Sequence, residues 1–209
     1  MNYQIFNYSL ICFILLMIIS LASYKFNLLD KPNKRKIHTK PVAYTGGLAI
    51  SLAYLISIKM FYVVGHNLNL IISISFLIAI VGFIDDKFHL NIGGKLSLQI
   101  IPTFYLIEFA NMSLANIGEY DYFVLNLNTF SLPFTLLCVL FLINAFNYFD
   151  GLDGTVSFAS VSVLLILHFL SHQELQILCI IITIPLCAFL CFNFSLFKLP
   201  KLFLGDSGS

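Results

Sequence analysis

Residues 68–95 read LNLIISISFLIAIVGFIDDKFHLNIGGK, a predominantly apolar run that ends abruptly on Asp85 and Asp86. At 1.5 Å per residue, such a run falls in the length range that crosses the roughly 30 Å hydrocarbon core of a bilayer as an α-helix. The pattern predicts a span over residues 68–84 that brings two carboxylates to one membrane face. A helix C-terminus favours cations over acids because of its dipole, so the pair calls for a neutralising partner. Adjacent helical residues point about 100° apart, which gives Asp85 and Asp86 different directions and different tasks.

The same pattern recurs on both sides of this stretch. Apolar runs at residues 5–24, 46–64, 96–110, 132–146, 156–170 and 175–192 bring the number of predicted spans to seven. The chain of 209 residues is 59% hydrophobic and 10% charged, with a mean hydropathy of +0.94, which excludes an ordinary soluble domain. The expected fold class is an all-α membrane protein, a polytopic helical bundle forming a single domain over residues 1–209. The first run has no basic segment before it and no small-residue cleavage site after it, so it is expected to remain as a span. Cys12, Cys138, Cys179, Cys187 and Cys191 all lie inside apolar runs, without the spacing of a disulfide framework or a zinc site.

Alternating spans put loops 25–45, 85–95, 147–155 and 193–209 on one face. Lys25, Lys31, Lys34, Arg35, Lys36, Lys40, Lys87, Lys95, Lys198 and Lys201 all fall there, leaving Lys59 as the one basic residue elsewhere. The positive-inside rule makes that face cytoplasmic and the N-terminus external. The net charge of +1 hides this sorting, and no nucleic-acid partner is expected. Segment 111–131, with Glu119, Asp121 and alternating apolar residues such as Val124, Leu125 and Leu127, predicts a small external hairpin with no catalytic role.

The remaining acids fall on the cytoplasmic face with Asp85 and Asp86. Asn147, Asp150 and Asp153 recur every third residue in NAFNYFDGLDG, a spacing that aligns three oxygen donors on one face of a helical turn. Such donors suit magnesium or a sugar's hydroxyls, and an EF-hand loop is excluded because its distant Glu is missing. Asp206 lies in KLFLGDSGS, whose glycines and serines can form a backbone nest for phosphate oxygens or a simple turn. The basic string KPNKRKIHTK fixes topology or touches anionic lipid, and its last residue, Lys40, is placed to meet a phosphate as a point charge. His38 and His89 face the cytoplasm while His66, His168 and His172 map to the far side, and all five are expected to be non-catalytic. Clustered acids at a membrane surface repel unless a cation neutralises them, and a carboxylate-held divalent ion is a clamp for a diphosphate. Magnesium, with manganese as a substitute, is the expected cofactor.

The ordered blocks DKPNKRKIHTKPVAYTGG, DDKFHLNIGGK, NAFNYFDGLDG and FLGDSGS resemble those of the bacterial polyprenyl-phosphate N-acetylhexosamine-1-phosphate transferases. This glycosyltransferase family 4 superfamily includes the phospho-muramoyl-pentapeptide translocase. The DKPN opening and the stretch between Asn193 and GDSGS are more similar to the branch that uses simple UDP-amino sugars. The resemblance implies transfer of a sugar phosphate from a UDP-amino sugar such as UDP-GlcNAc to undecaprenyl phosphate in the bacterial inner membrane, at the start of a cell-envelope glycan pathway. It further implies that Lys40 contacts phosphate, that Asp85 and Asp86 flank the lipid-phosphate nucleophile, and that Asn147 and Asp150 hold the nucleotide-sugar. Asp153 supports that loop, Asn193 lies near the uridine diphosphate, and Asp206, with Asp150, ligates magnesium.

Two departures stand out. Thr45 occupies a position where the family often has Met, and family members continue past the fourth block into further spans and a histidine-bearing loop. The chain is therefore expected to hold the larger share of such a protein and to be inactive alone. The bilayer and the two substrates are the expected partners, and a homodimer is compatible with the pattern. Rival classes are an inactive assembly subunit, a CDP-alcohol-type phosphotransferase and an ion-coupled transporter. The phosphotransferase signature wants Ala-Arg after the DG where Thr155 and Val156 stand, and a transporter wants its acids near the midplane.

Overall fold

In a computed structural model, described over residues 2–32, 39–61, 65–120 and 123–209, the apolar runs form helices whose polar ends gather the acids. Seven α-helices lie among the described residues: α1 (Asn2–Lys25), α2 (Gly46–Phe61), α3 (His66–Phe88), α4 (Ile92–Ala110), α5 (Ser131–Phe149), α6 (Thr155–Leu170) and α7 (Gln173–Asn193). Four helical stretches, Tyr3–Lys25, His66–Phe88, Asn128–Phe149 and Leu175–Asn193, are long and apolar enough to cross a membrane, and α2 and α6 are shorter apolar helices. The chain is thus a helical membrane protein by the length and composition of its helices. The basic residues 34–36 and His38 lie outside the described residues.

The helices extend past several predicted boundaries for local reasons. α3 continues through Asp85 and Asp86 and stops at His89, a left-handed residue whose N–H donates to the Asp85 carbonyl. α4 begins a turn early because the Asn91 side chain accepts from Gly94 N at 2.6 Å, satisfying one of the free N–H groups of the first turn. That early start puts Lys95 on a helix.

α1 packs on α2 and α7, α2 also on α3, α6 on α7, and α4 bridges α3 to α5. The main buried cluster joins Leu16, Ile50, Leu186, Phe189 and Phe192 to Leu202 and Leu204 of the last segment. In lipid, helix association rests on close packing and interhelical hydrogen bonds. Asn144 Nδ2 donates to Gln99 Oε1 at 3.0 Å between α5 and α4, and Tyr8 OH donates to the Ile181 carbonyl at 3.3 Å between α1 and α7. The departure at Thr45 fits the same scheme, because its buried hydroxyl pairs with Ser23 Oγ of α1 at 2.7 Å.

Two short strands, β1 (Leu29–Asp30) and β2 (Val42–Ala43), pair antiparallel, and Leu202 adds a parallel bridge to Ala43. The last segment then runs onto the start of α2, where Gly46 N donates to Phe203 O at 3.0 Å and Gly47 N to Leu204 O at 2.8 Å. N–H groups that a helix start leaves unpaired are thereby used to dock the chain end. Two glycines make room for it: a Cβ at Gly47 would collide with the Gly208 backbone, and one at Gly82 with the Asp206 carbonyl. At the other end of α4, β3 (Asn116–Tyr120) and β4 (Phe123–Asn126) form the expected hairpin, tied to α5 by Leu114 N donating to Thr135 Oγ1 at 2.8 Å.

Candidate functional site

Where the C-terminal ends of α3, α5 and α7 meet the last segment, a cavity of about 1090 Å³ opens. Asp85, Asp86, Asp150, Asp153, Asn193 and Asp206 all line it. The acids predicted on one face from apolar length and lysine placement therefore lie around one space.

Asp85, in the last turn of α3, is fully engaged: Leu90 N donates to Oδ1 at 2.9 Å and Lys95 Nζ to Oδ2 at 2.8 Å. The same Lys95 ammonium donates to Asp206 Oδ2 at 2.5 Å, so one cation joins two carboxylates from distant parts of the chain. Asp86 is different. Its Oδ2 is buried without a hydrogen-bond partner among the described residues, close to Gly205. Separate directions on the helix have given the two acids separate surroundings.

Asp150 follows the end of α5 as its C-cap. Burial first, then the Asp206 and Asp153 charges, push its carboxyl up to about 6. Burial also raises Asp206, reinforced by Asp85, while Lys95 and Asn147 act in the other direction. Asn147 Nδ2 donates to Ser209 Oγ at 3.2 Å. The expected common helical face stops at Asp150: α5 ends at Phe149, and Asp153 lies in the following turn before Gly154, whose φ of 76° lies in the left-handed region. Lys201 holds Asp153 there at 2.6 Å and places its ammonium 5.3 Å from the Phe203 ring centroid. Asn193 donates through Nδ2 to the Leu202 carbonyl at 2.9 Å, anchoring the segment that carries Asp206.

Lys40 lines a neighbouring cavity of about 700 Å³ with Thr39, Ser195 and Lys201, and Lys201 borders both spaces. Lys95 and Lys201 are the residues that topology reasoning passed over, treating them as orientation charges. A signal for Lys95 was present in the Asn-Ile-Gly-Gly helix start, which turns the chain back towards Asp85. His89, read as non-catalytic, lines the acidic cavity too.

Among the described residues, no three acidic, imidazole or thiol side chains form a closed metal-ligand group. Magnesium commonly takes only one or two protein carboxylates and completes its shell with water and substrate phosphates. An open acidic rim with a buried, unpartnered Asp86 oxygen fits that requirement.

Residues 68–209 match the family model described as glycosyl transferase family 4. The chain is 28% identical over 195 residues to an undecaprenyl-phosphate alpha-N-acetylglucosaminyl 1-phosphate transferase of Escherichia coli O157:H7, covering 88% of this chain and 52% of the relative. It is 27% identical over 200 residues to the protein of the same name from Yersinia pestis, covering 90% and 53%. A probable undecaprenyl-phosphate N-acetylglucosaminyl 1-phosphate transferase of Bacillus subtilis (strain 168) is 27% identical over 201 residues, covering 92% and 54%. The chain spans about half the length of these curated relatives, a smaller share than the motif order suggested.

Proposed function

Because the chain belongs to glycosyl transferase family 4, we propose that it transfers N-acetylhexosamine-1-phosphate from a UDP-activated donor to polyprenyl phosphate, releasing UMP. The observation that carries this reading is the meeting of Asp85, Asp86, Asp150, Asp153 and Asp206 around one cavity at the end of an apolar bundle. The names of the relatives, which state undecaprenyl phosphate as their acceptor, support the substrate class.

In this reaction an oxygen of the lipid monophosphate attacks the β-phosphorus of the donor. The bond from that phosphorus to the bridging oxygen breaks, and UMP leaves with the electron pair. A phosphate monoester with a second pKa near 6 is largely ionised at pH 7, so no strong general base is required. Positioning and charge neutralisation supply most of the catalysis. A magnesium ion, when bound, offsets charge on the diphosphate, and Asp206, Asp150 and the free oxygen of Asp86 are the groups that would hold it. Asn147 and Asn193 order the chain around the donor, and Lys40 meets a phosphate from the neighbouring cavity. Exposed Tyr148, Phe149 and Leu152 supply apolar surface beside Asp150 for the polyprenyl tail.

The same reading makes residues 1–209 one domain that crosses the bacterial cytoplasmic membrane seven times, N-terminus outside and acids inside. The test is incubation of membranes expressing the full reading frame with UDP-GlcNAc or another UDP-amino sugar, undecaprenyl phosphate and magnesium, with the 209-residue chain assayed in parallel. UMP and a lipid-linked sugar phosphate are expected. Absence of UMP with every UDP-amino sugar overturns the proposal.

A further inference from the structure

Lys95 occupies the position between Asp85 and Asp206 that a bridging cation needs. Its side chain is only 14% exposed, and its two carboxylate contacts, at 2.8 and 2.5 Å, come from the end of α3 and from the last segment. Each Asp85 oxygen has a donor while this contact persists, Lys95 on one and Leu90 N on the other. Two carboxylates brought this close in a partly dry site repel strongly without a positive charge between them. The helix that carries Lys95 is started by Asn91 within a three-residue connection, so the ammonium is delivered by a rigid element and not by a wandering loop.

We propose that Lys95 is a tethered cation that competes with the divalent ion for Asp206, pinning that carboxylate to Asp85 and holding the site together when the ion is absent, and releasing it when the ion binds. The proposal rests on the metal site proposed above. A lysine carries three rotatable donors on a flexible stem, so it can swing aside without disturbing α4. Competition for shared ligands is a coupling free energy, and removing the competitor must tighten the ion by the same factor that the competitor weakened it.

The experiment uses Mn²⁺ as the probe and the detergent-solubilised chain, with binding read by electron paramagnetic resonance. Lys95→Met should bind Mn²⁺ about tenfold more tightly than wild type, within the range of ordinary couplings between sites, whereas Lys95→Arg should stay near wild type. The ion-free Lys95→Met protein should melt lower than wild type and gain more from added Mn²⁺. In the unmutated chain, Mn²⁺ should increase labelling of Lys95 by an amine-reactive reagent several-fold, measured by mass spectrometry; this arm needs no variant. Mn²⁺ affinity that is equal or weaker in folded Lys95→Met overturns the proposal, as does labelling of Lys95 that stays constant while Mn²⁺ binds. Absence of Mn²⁺ binding in every form also overturns it. UMP release is scored separately, so failure of the transferase reading is distinguishable from failure of the competition.

Discussion

The backbone of Asp206 lies directly against Gly82, one helical turn before Asp85, so close that a Cβ at Gly82 would overlap the Asp206 carbonyl. Gly82→Ala should push the last segment off α3 and separate Asp206 from Lys95. Overpacking of this kind costs about 1–3 kcal/mol. The expected outcome is a lower melting temperature and at least a tenfold loss of UMP release. Gly65→Ala, where the new methyl meets nothing nearer than Leu68 Cδ1 at 3.7 Å, is the control that should change neither.

Asn193 is buried and anchors the Leu202 carbonyl. Asn193→Ala should cost about 1–3 kcal/mol by leaving that group without its partner. Thermal unfolding in detergent measures the stability change. A catalytic loss accompanied by an unchanged melting temperature would argue against this anchoring role.

The pH dependence follows from Asp150. Its folded value of about 6 lies above the ordinary 3.8, so between about pH 4 and pH 6 the folded protein holds more protons than the unfolded chain. Stability therefore falls as pH rises through that window, and the Asp86 carboxyl, pushed up to about 7 mainly by burial, carries the fall on towards pH 7. The metal-free chain should melt higher at pH 5 than at pH 7, Asp150→Asn should reduce that difference, and the remainder belongs to Asp86. Added divalent ion, which favours the ionised carboxylate, should also reduce it.

The Lys201 and Asp153 pair is 2.6 Å long and about one-third exposed on each side. Exposed pairs contribute about 0–1 kcal/mol, so Lys201→Met should leave the melting temperature nearly unchanged. Because Lys201 borders both cavities, the same variant should raise the apparent KM for the UDP-sugar several-fold. A stability loss without a KM change would make the pair a structural clip only.

Apolar length and the placement of lysines were enough to read the helices, the shared face of the acids and the hairpin, because bilayer thickness and backbone hydrogen bonding leave few alternatives. The contacts inside the site were less legible. Lys95 looks identical to a topology lysine until the Asn91 cap rotates it towards Asp85, and a cap is a local geometric event that hydropathy does not register. Asp153 was read onto a helix because the three-residue spacing continues past Asp150, whereas the turn that leads to Gly154 ends the helix first. Gly82 gave no signal, since its importance comes from a partner more than a hundred positions away. Asp206 could be grouped with the other acids because its block is short and follows the last apolar run, and it lines the same cavity as they do.

The docking of Phe203 and Leu204 on the first N–H groups of α2 has a consequence for biosynthesis. A ribosome makes α2 long before it makes residues 203–206, so the start of that helix forms with its amides waiting for an acceptor that does not yet exist. The acidic cavity therefore gains Asp206 only after α1 to α7 have been made, from a segment that docks onto helices already present. Until then Asp85 and Asp86 stand without Asp206, and the acid cluster has no assembled cavity.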